Sequence, residues 1–187
     1  VTIGHHGASH AHMVEADSAA NAADIDKATA RFREELGRAP ELFAYPYGEF
    51  SRALADQVAG AGFTAAFGQH SGVAHDREYL FGLPRFALNE SYGDIERFKL
   101  ITGTLALPVS DVTPSDPLIG DINPPAIGFT VADGIEPLSR INCFALCNSS
   151  TALLRVLRSL QKKIFEHYRD RLSFRKILVF SVSNELF

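Results

Sequence analysis

Apolar positions recur with two different periods in the first half of the chain. Between residues 13 and 35 they fall on one face at helical spacing, and Gly37 is placed to end that helix. Short apolar runs at residues 39–44 and 63–67 are typical of strands, with a second helix predicted over residues 51–59 between them. This alternation predicts βαβ units and a parallel sheet or barrel.

The second half of the chain has a different pattern. A further strand is predicted over residues 80–88. Between residues 92 and 146 no helical period is found, and three short β-type runs follow, at residues 101–107, 126–131 and 141–145. A segment rich in Pro and Asp, residues 108–125, separates the first two runs and is expected to be a loop. We therefore predict a small antiparallel β-rich appendage over residues 92–146.

The last segment, residues 147–187, is distinguished by its charge. It holds eight basic residues against three acidic ones, whereas the whole chain has a net charge of −4. Apolar residues line one face of a predicted helix there, and residues 177–182 form an uncharged, strand-like run. A frameshifted or fused tail and a basic amphipathic helix that binds an anionic surface are both compatible with this pattern. The predicted division is thus residues 1–91, 92–146 and 147–187.

Histidines are concentrated near the start of the chain. Four of the seven lie within residues 5–12, after a short apolar lead-in that ends at Gly4. His6 and His10 are four residues apart, so both imidazoles can lie on one side of a tight loop and bind one ion. Neutral imidazole suits zinc and its first-row neighbours. Ser9 can stiffen the loop by bonding to the local backbone. The other interpretation is a solvated histidine-rich turn or a tag remnant.

A second motif lies at residues 43–49, with the sequence F-A-Y-P-Y-G-E. It is typical of a strand end that runs into a turn, because Pro46 restricts φ and Gly48 permits backbone angles that other residues resist. Such a turn can aim a backbone N–H outward. Taken alone, the motif would also fit an ordinary turn.

Together, the H-x-x-S-H loop and the F-A-Y-P-Y-G-E turn about forty residues later resemble the polysaccharide deacetylase family. This family is also called the NodB-homology domain or carbohydrate esterase family four, and the likeness is especially to its branch acting on N-acetylglucosamine polymers. The resemblance implies an α/β fold, a partial (β/α) barrel with the β-rich C-terminal appendage. It implies a hydrolase that removes N-acetyl groups from a polysaccharide. By the same resemblance His6 and His10 bind a divalent metal, Zn²⁺ foremost, and the backbone amide of Tyr47 stabilises the oxyanion.

The resemblance also implies residues that contact the N-acetylated polysaccharide. These are Tyr45, Pro46 and Gly48 in the turn and Arg85 in an L-P-R segment similar to one in the family branch. For Arg85, a surface ion pair at a strand edge is an equal alternative. A different class of function is also open: a non-catalytic, carbohydrate-binding remnant in which Tyr45 and Tyr47 line an aromatic groove.

Several parts of the family pattern are not found. The T-F-D-D motif, which in the family supplies a general-base Asp and a metal-binding Asp, would precede Val1. We therefore expect an N-terminally incomplete protein whose base and third ligand lie upstream, and which is inactive alone. Gly7 stands where the family usually has Ser or Thr, and Ala44 where many members carry Arg. No Leu-x-His motif for a general acid is evident downstream.

Composition and charge limit the number of domains and the classes of function that the chain can have. With 46% hydrophobic residues, the 187-residue chain can form one domain or one domain with an appendage. Its net negative charge argues against nucleic-acid binding, and no apolar run approaches a transmembrane segment. The resemblance implies a periplasmic, extracellular or cell-envelope location, and leaves the oligomeric state open. Asp24 and Asp26, two apart on the first predicted helix, are expected to lie on a solvated surface rather than form a metal pair.

Overall fold

The computed structural model describes residues 1–75, 79–118, 126, 128–132, 144–145 and 181–182. The chain divides into two compact units, Val1–Ala106 with Asp116–Leu118 and Leu107–Ser115 with Ile119–Phe187. The helices and strands of the first unit are α1 (Ser18–Leu36), β1 (Leu42–Ala44), α2 (Arg52–Gly60), β2 (Ala65–Phe67) and α3 (Ile95–Thr102), with a single 3₁₀ turn at Pro46–Gly48. Those of the second are β3 (Val109–Thr113), β4 (Gly128–Val131), β5 (Phe144–Ala145) and β6 (Ser181–Val182).

Helix α1 has side-chain and backbone caps at its ends. The Asp17 carboxylate accepts a hydrogen bond from the Ala20 N–H at 2.8 Å, which satisfies one of the free donors of the first turn. Gly37 adopts φ 71° and its N–H donates to the Arg33 carbonyl, so the predicted stop at Gly37 is confirmed. The helix starts later than residue 13 because Asp17 is its N-cap.

Four extended segments of the first unit run parallel. Strands β1 and β2 pair directly, with Phe43 opposite Ala66. A single bridge adds His5 beside Phe43 on one side, and another adds Leu83 beside Phe67 on the other. The mixed helix–strand fold with parallel βαβ connections is therefore confirmed, whereas the barrel stays a prediction.

The core of the first unit lies between this sheet and helices α1 and α2. Phe43, Tyr45, Val58 and Ala66 are fully buried, and Ile25 of α1 and Leu54 of α2 pack into the same cluster. Aromatic rings dominate it, since Phe43 contacts both Tyr45 and Phe63 edge to face. This packing supports the strand ends from which the candidate site projects.

Two predicted strands are wrong. Within residues 80–88 only the bridge at Leu83 forms, so no continuous strand exists there. Residues 101–107 are not a β-type run, because helix α3 ends at Thr102 and none of residues 103–107 lies in a strand. The Asp94 carboxylate caps that helix by accepting from the Arg97 N–H at 2.9 Å, and this local signal was missed.

In the second unit, β3 and β4 pair in antiparallel fashion, with Val109 opposite Val131. The β-type run at 126–131 is thus confirmed as β4, but β3 lies within the segment predicted to be a loop. Its β-branched residues favour an extended backbone despite the flanking prolines. Strands β5 and β6 pair in parallel.

Most of residues 133–187, including Cys143, Cys147 and all of the basic tail except Ser181–Val182, lie outside the described residues. The predicted boundaries at 91 and 146 stay predictions. None of the helices that the structure describes is long and apolar enough to cross a membrane.

Candidate functional site

The sequence-predicted site residues follow the carboxyl ends of three of the four parallel segments. His6 follows the His5 bridge and Pro46–Gly48 follows β1, and the loop that begins at Gly68 follows β2 at the same edge. Arg85 comes two residues after Leu83. Because parallel strands share one edge at their carboxyl ends, groups distant in sequence meet there, as in other α/β proteins.

His6 and His10 lie side by side at this edge. Their ring centroids are 4.9 Å apart, and both side chains are exposed. His6 Nδ1 faces the Ala44 carbonyl oxygen at 2.7 Å, so Nδ1 carries the proton and donates. This bond leaves His6 Nε2 with its lone pair, the tautomer that a metal ligand needs.

The imidazoles of His6 and His10 are the kind of donor that a first-row divalent ion such as zinc binds. The His6 ring is already oriented by its bond to the Ala44 carbonyl. Among the residues that the structure describes, no group of three or more His, Cys, Asp or Glu side chains is arranged to hold a metal. Among the described residues, the arrangement therefore offers two candidate ligands and not the three or more of a complete site.

The histidine loop, residues 6–10, is held by Asp24 of helix α1. The Asp24 carboxylate accepts from the Ala8 N–H at 2.8 Å and from the Ser9 N–H at 3.0 Å. Burial alone would raise the pKa of Asp24, but hydrogen bonds from the Ser9 side chain and the two N–H groups outweigh it and lower the pKa. Asp24 is partly exposed on the surface of α1, as predicted, but its carboxylate is bonded to the loop rather than solvated, and Ser9 bonds to α1 rather than to the local backbone.

His5 is a structural residue that sequence reasoning did not single out. Its ring is fully buried and packs against Phe32, Phe43 and Phe63. The Gly7 N–H donates to His5 Nδ1 at 3.1 Å, so Nε2 carries the proton and donates to the Ile25 carbonyl at 3.2 Å. Burial lowers the pKa of His5, which keeps it neutral. Its place directly after the apolar lead-in that ends at Gly4 was the available signal.

The Pro46–Gly48 turn lies beside the histidine loop. Tyr47 has φ 57° and Gly48 has φ 72°, both in the left-handed region. A Cβ on Gly48 would lie 2.3 Å from Gln69 Cβ and 2.5 Å from Gln69 N, so only glycine fits. Tyr47 is the second residue of the turn, where a backbone N–H has no partner inside the turn.

The Tyr47 side chain is half-exposed and held between two histidines. Its ring contacts His10 edge to face at 4.5 Å and stacks on His12 at 4.0 Å with an interplanar angle of 6°. His12 Nδ1 lies 2.8 Å from a Glu49 carboxylate oxygen, and this hydrogen bond raises the pKa of His12. The turn and the histidine loop are thus joined by aromatic contacts as well as by the His6–Ala44 bond.

Two predicted substrate-contacting side chains are buried. Tyr45 is fully buried, and its hydroxyl donates to the Phe81 carbonyl at 3.0 Å. Burial raises the pKa of this phenol. Pro46 is also fully buried. The side chains of Tyr45 and Pro46 pack inward and support the turn, so neither can make the substrate contact predicted for it, and Tyr45 cannot line the aromatic groove predicted for it with Tyr47.

Arg85 reaches the loop that follows β2. Its Nε donates to the Gly68 carbonyl at 2.9 Å, and its backbone N–H donates to the His70 carbonyl at 3.0 Å. The partners are carbonyl groups, so the guanidinium ties the ends of two parallel segments together. Its contact with substrate stays a prediction.

Comparisons with known proteins bear on the same part of the chain. The family model for polysaccharide deacetylases matches residues 1–66. Among solved structures, the chain is similar to a Streptococcus pyogenes deacetylase, PplD, in complex with acetate. The two are 16% identical, the TM-score is 0.46, and the match covers 51% of this chain and 42% of that one. A search of curated proteins finds no match. The match over residues 1–66, which contain the histidine loop and the Pro46–Gly48 turn, supports the resemblance of this part of the chain to the polysaccharide deacetylase family.

Proposed function

We propose that this protein takes part in metal-dependent removal of N-acetyl groups from a polysaccharide of the N-acetylglucosamine type. One observation carries the proposal: the His6–His10 pair and the Tyr47 turn stand together, with the His10 and Tyr47 rings 4.5 Å apart. Amide hydrolysis needs a Lewis acid that polarises the carbonyl and, next to it, a hydrogen-bond donor for the developing oxyanion. The carboxyl edge of the parallel segments offers the histidine pair for the first and the Tyr47 N–H for the second.

In this proposal His6 and His10 hold a divalent ion, with zinc favoured by the two imidazole donors. When bound, such an ion supplies Lewis-acid chemistry, polarising the acetamide carbonyl and lowering the pKa of water. The Ala44 carbonyl keeps the His6 ring in the required tautomer and orientation. The aromatic contacts of Tyr47 keep His10 beside it.

The Tyr47 N–H is proposed to donate to the oxygen of the tetrahedral oxyanion. A main-chain donor held by a turn in which only glycine fits at position 48 is pre-organised, so little reorganisation is needed during reaction. Removal of one such donor typically lowers kcat by about 10²–10³-fold. Tyr45 is buried, so of these two tyrosines only Tyr47, whose ring is half-exposed, can contact a sugar beside the site.

Zinc titration of purified variants tests the metal site, with affinity measured by competition against a chromogenic chelator. Replacing both ligands, in His6→Ala with His10→Ala, should abolish the zinc binding that the wild-type chain shows. His12→Ala is the matched control from the same segment, because His12 is engaged with Glu49, and its zinc affinity should stay near the wild-type value. Unchanged affinity in the double variant would overturn the metal site.

Acetate release from N-acetylglucosamine oligomers tests the reaction. Release that chelator abolishes and zinc restores would support the proposal. Oligomer binding by the wild-type chain that needs no metal and yields no acetate would instead favour the carbohydrate-binding remnant.

A further inference from the structure

Asp24 stands out among the carboxylates that the structure describes, because it bonds to the loop between the two proposed metal ligands. Its Oδ2 accepts from the Ala8 N–H and its Oδ1 from the Ser9 N–H. Ala8 and Ser9 are two of the three residues between His6 and His10. The carboxylate is therefore placed to control the backbone path from one histidine to the other.

The Asp24 carboxylate also lies close to Gly7, the first residue after His6. Gly7 has φ 72°, and a Cβ built on it would lie 2.7 Å from Asp24 Oδ2. The loop thus approaches the carboxylate as closely as a residue without a side chain allows. Hydrogen bonds to an ionised acceptor are about twice as strong as those between neutral groups, so two of them restrain a short loop effectively.

The helix beneath the loop is itself well anchored. Asp24 neighbours Ile25, which is buried in the core, and the Ile25 carbonyl accepts from His5 Nε2. The histidine loop is thus bound to α1 at its start through His5 and at its middle through Asp24. A loop tied at two points to a packed helix is pre-organised before any ligand binds.

We propose that Asp24 is a positioning residue that pre-organises the histidine loop so that His6 and His10 can bind one divalent metal ion. This inference rests on the proposed function, since it assigns a purpose to the same pair of histidines. Asp24 acts through the backbone of Ala8 and Ser9 and contributes no ligand.

The test compares Asp24→Asn with Asp26→Asn in the full chain. Asn keeps the shape of the side chain but offers one acceptor oxygen, so its NH₂ group must face one of the two backbone N–H donors. Asp26 is exposed on the same helix, and its substitution makes the same charge change. Loss of an interaction that orients metal ligands typically lowers metal affinity about 10–100-fold, and we expect that loss for zinc in Asp24→Asn but not in Asp26→Asn.

Amide hydrogen exchange of the metal-free wild-type chain provides a second measurement that needs no substitution. The Ala8 and Ser9 amides should exchange at least about 10-fold more slowly than the same sequence in an unstructured peptide. Urea unfolding of each variant shows whether Asp24→Asn remains folded, and if it does not, the exchange result decides.

Three outcomes would count against the inference. Equal zinc affinities of folded Asp24→Asn and Asp26→Asn would overturn it and leave the proposed metal site standing. Unprotected Ala8 and Ser9 amides would likewise overturn it alone. A wild-type chain that binds no zinc would overturn both this inference and the proposed metal site.

Discussion

Replacement of Gly48 with alanine tests whether the Pro46–Gly48 turn has the close backbone approach that the structure shows. The new methyl group would lie 2.3 Å from Gln69 Cβ, 2.5 Å from Gln69 N and 2.9 Å from Gln69 Cα. Two of these three atoms belong to the backbone, which a side-chain rotation cannot move. The segment after β2 must therefore shift, and the turn that presents the Tyr47 N–H must shift with it.

The expected loss of unfolding free energy in Gly48→Ala is the sum of two contributions. Alanine at φ 72° costs about 1–2 kcal/mol because its Cβ crowds the following carbonyl oxygen in the left-handed region. Forcing a methyl group into an occupied space typically costs about 1–3 kcal/mol more. Gly37→Ala is the matched control, since Gly37 has φ 71° and a Cβ added there would meet no described atom within 4 Å. We expect the free energy of unfolding to fall by about 2–5 kcal/mol in Gly48→Ala and about 1–2 kcal/mol in Gly37→Ala.

Urea unfolding followed by circular dichroism measures both variants, because the chain contains no tryptophan for fluorescence. The difference between the two losses isolates the contact with Gln69. Equal losses would refute the reasoning, since they would show that the left-handed angle alone matters and that Gln69 does not press on the turn.

Three further predictions concern other parts of the first unit. Glu49→Gln should lower the pKa of His12, because the carboxylate that raises it is gone, and an NMR titration that shows no change would contradict the pairing. Burial lowers the pKa of His5 and of His70, so the unfolded state binds protons at a higher pH than the folded state does. The free energy of unfolding should then fall as the pH drops from about 7.5 to about 5, whereas a rise over this range would oppose the assignment. Ser51→Ala should cost about 1 kcal/mol in urea unfolding, as loss of the α2 N-cap does, and an unchanged midpoint would argue against the cap.

The elements that the sequence determined are those set by local interactions. The stop of α1 at Gly37 needs only a left-handed residue and a carbonyl four residues earlier. The Pro46–Gly48 turn likewise follows from neighbours in the chain, and both were predicted. The predicted start of α1 and the predicted absence of a helix at α3 were wrong, because N-capping by Asp17 and Asp94, and not apolar spacing, sets where these two helices begin.

Other assignments depended on contacts between distant residues. The sequence around the turn does not tell which way the Tyr45 ring faces, so the predicted sugar contact of Tyr45 is wrong and its ring packs in the core. Asp24 resembled any helical surface carboxylate, since its partners lie 15 and 16 residues earlier in the chain. No local pattern distinguishes a carboxylate that faces water from one that faces a loop.

The sequence by itself determined which groups are available: two histidines at a spacing that suits one ion, and a turn that can present a backbone N–H. Only the tertiary structure decided that they meet, because parallel pairing brings the carboxyl ends after His5 and after β1 to one edge. It also decided that His6 Nδ1 is engaged with Ala44, 38 residues away, and that α1 lies under the histidine loop. Such contacts follow from strand pairing and helix packing over long separations, where the burial of apolar surface rather than local propensity selects the arrangement.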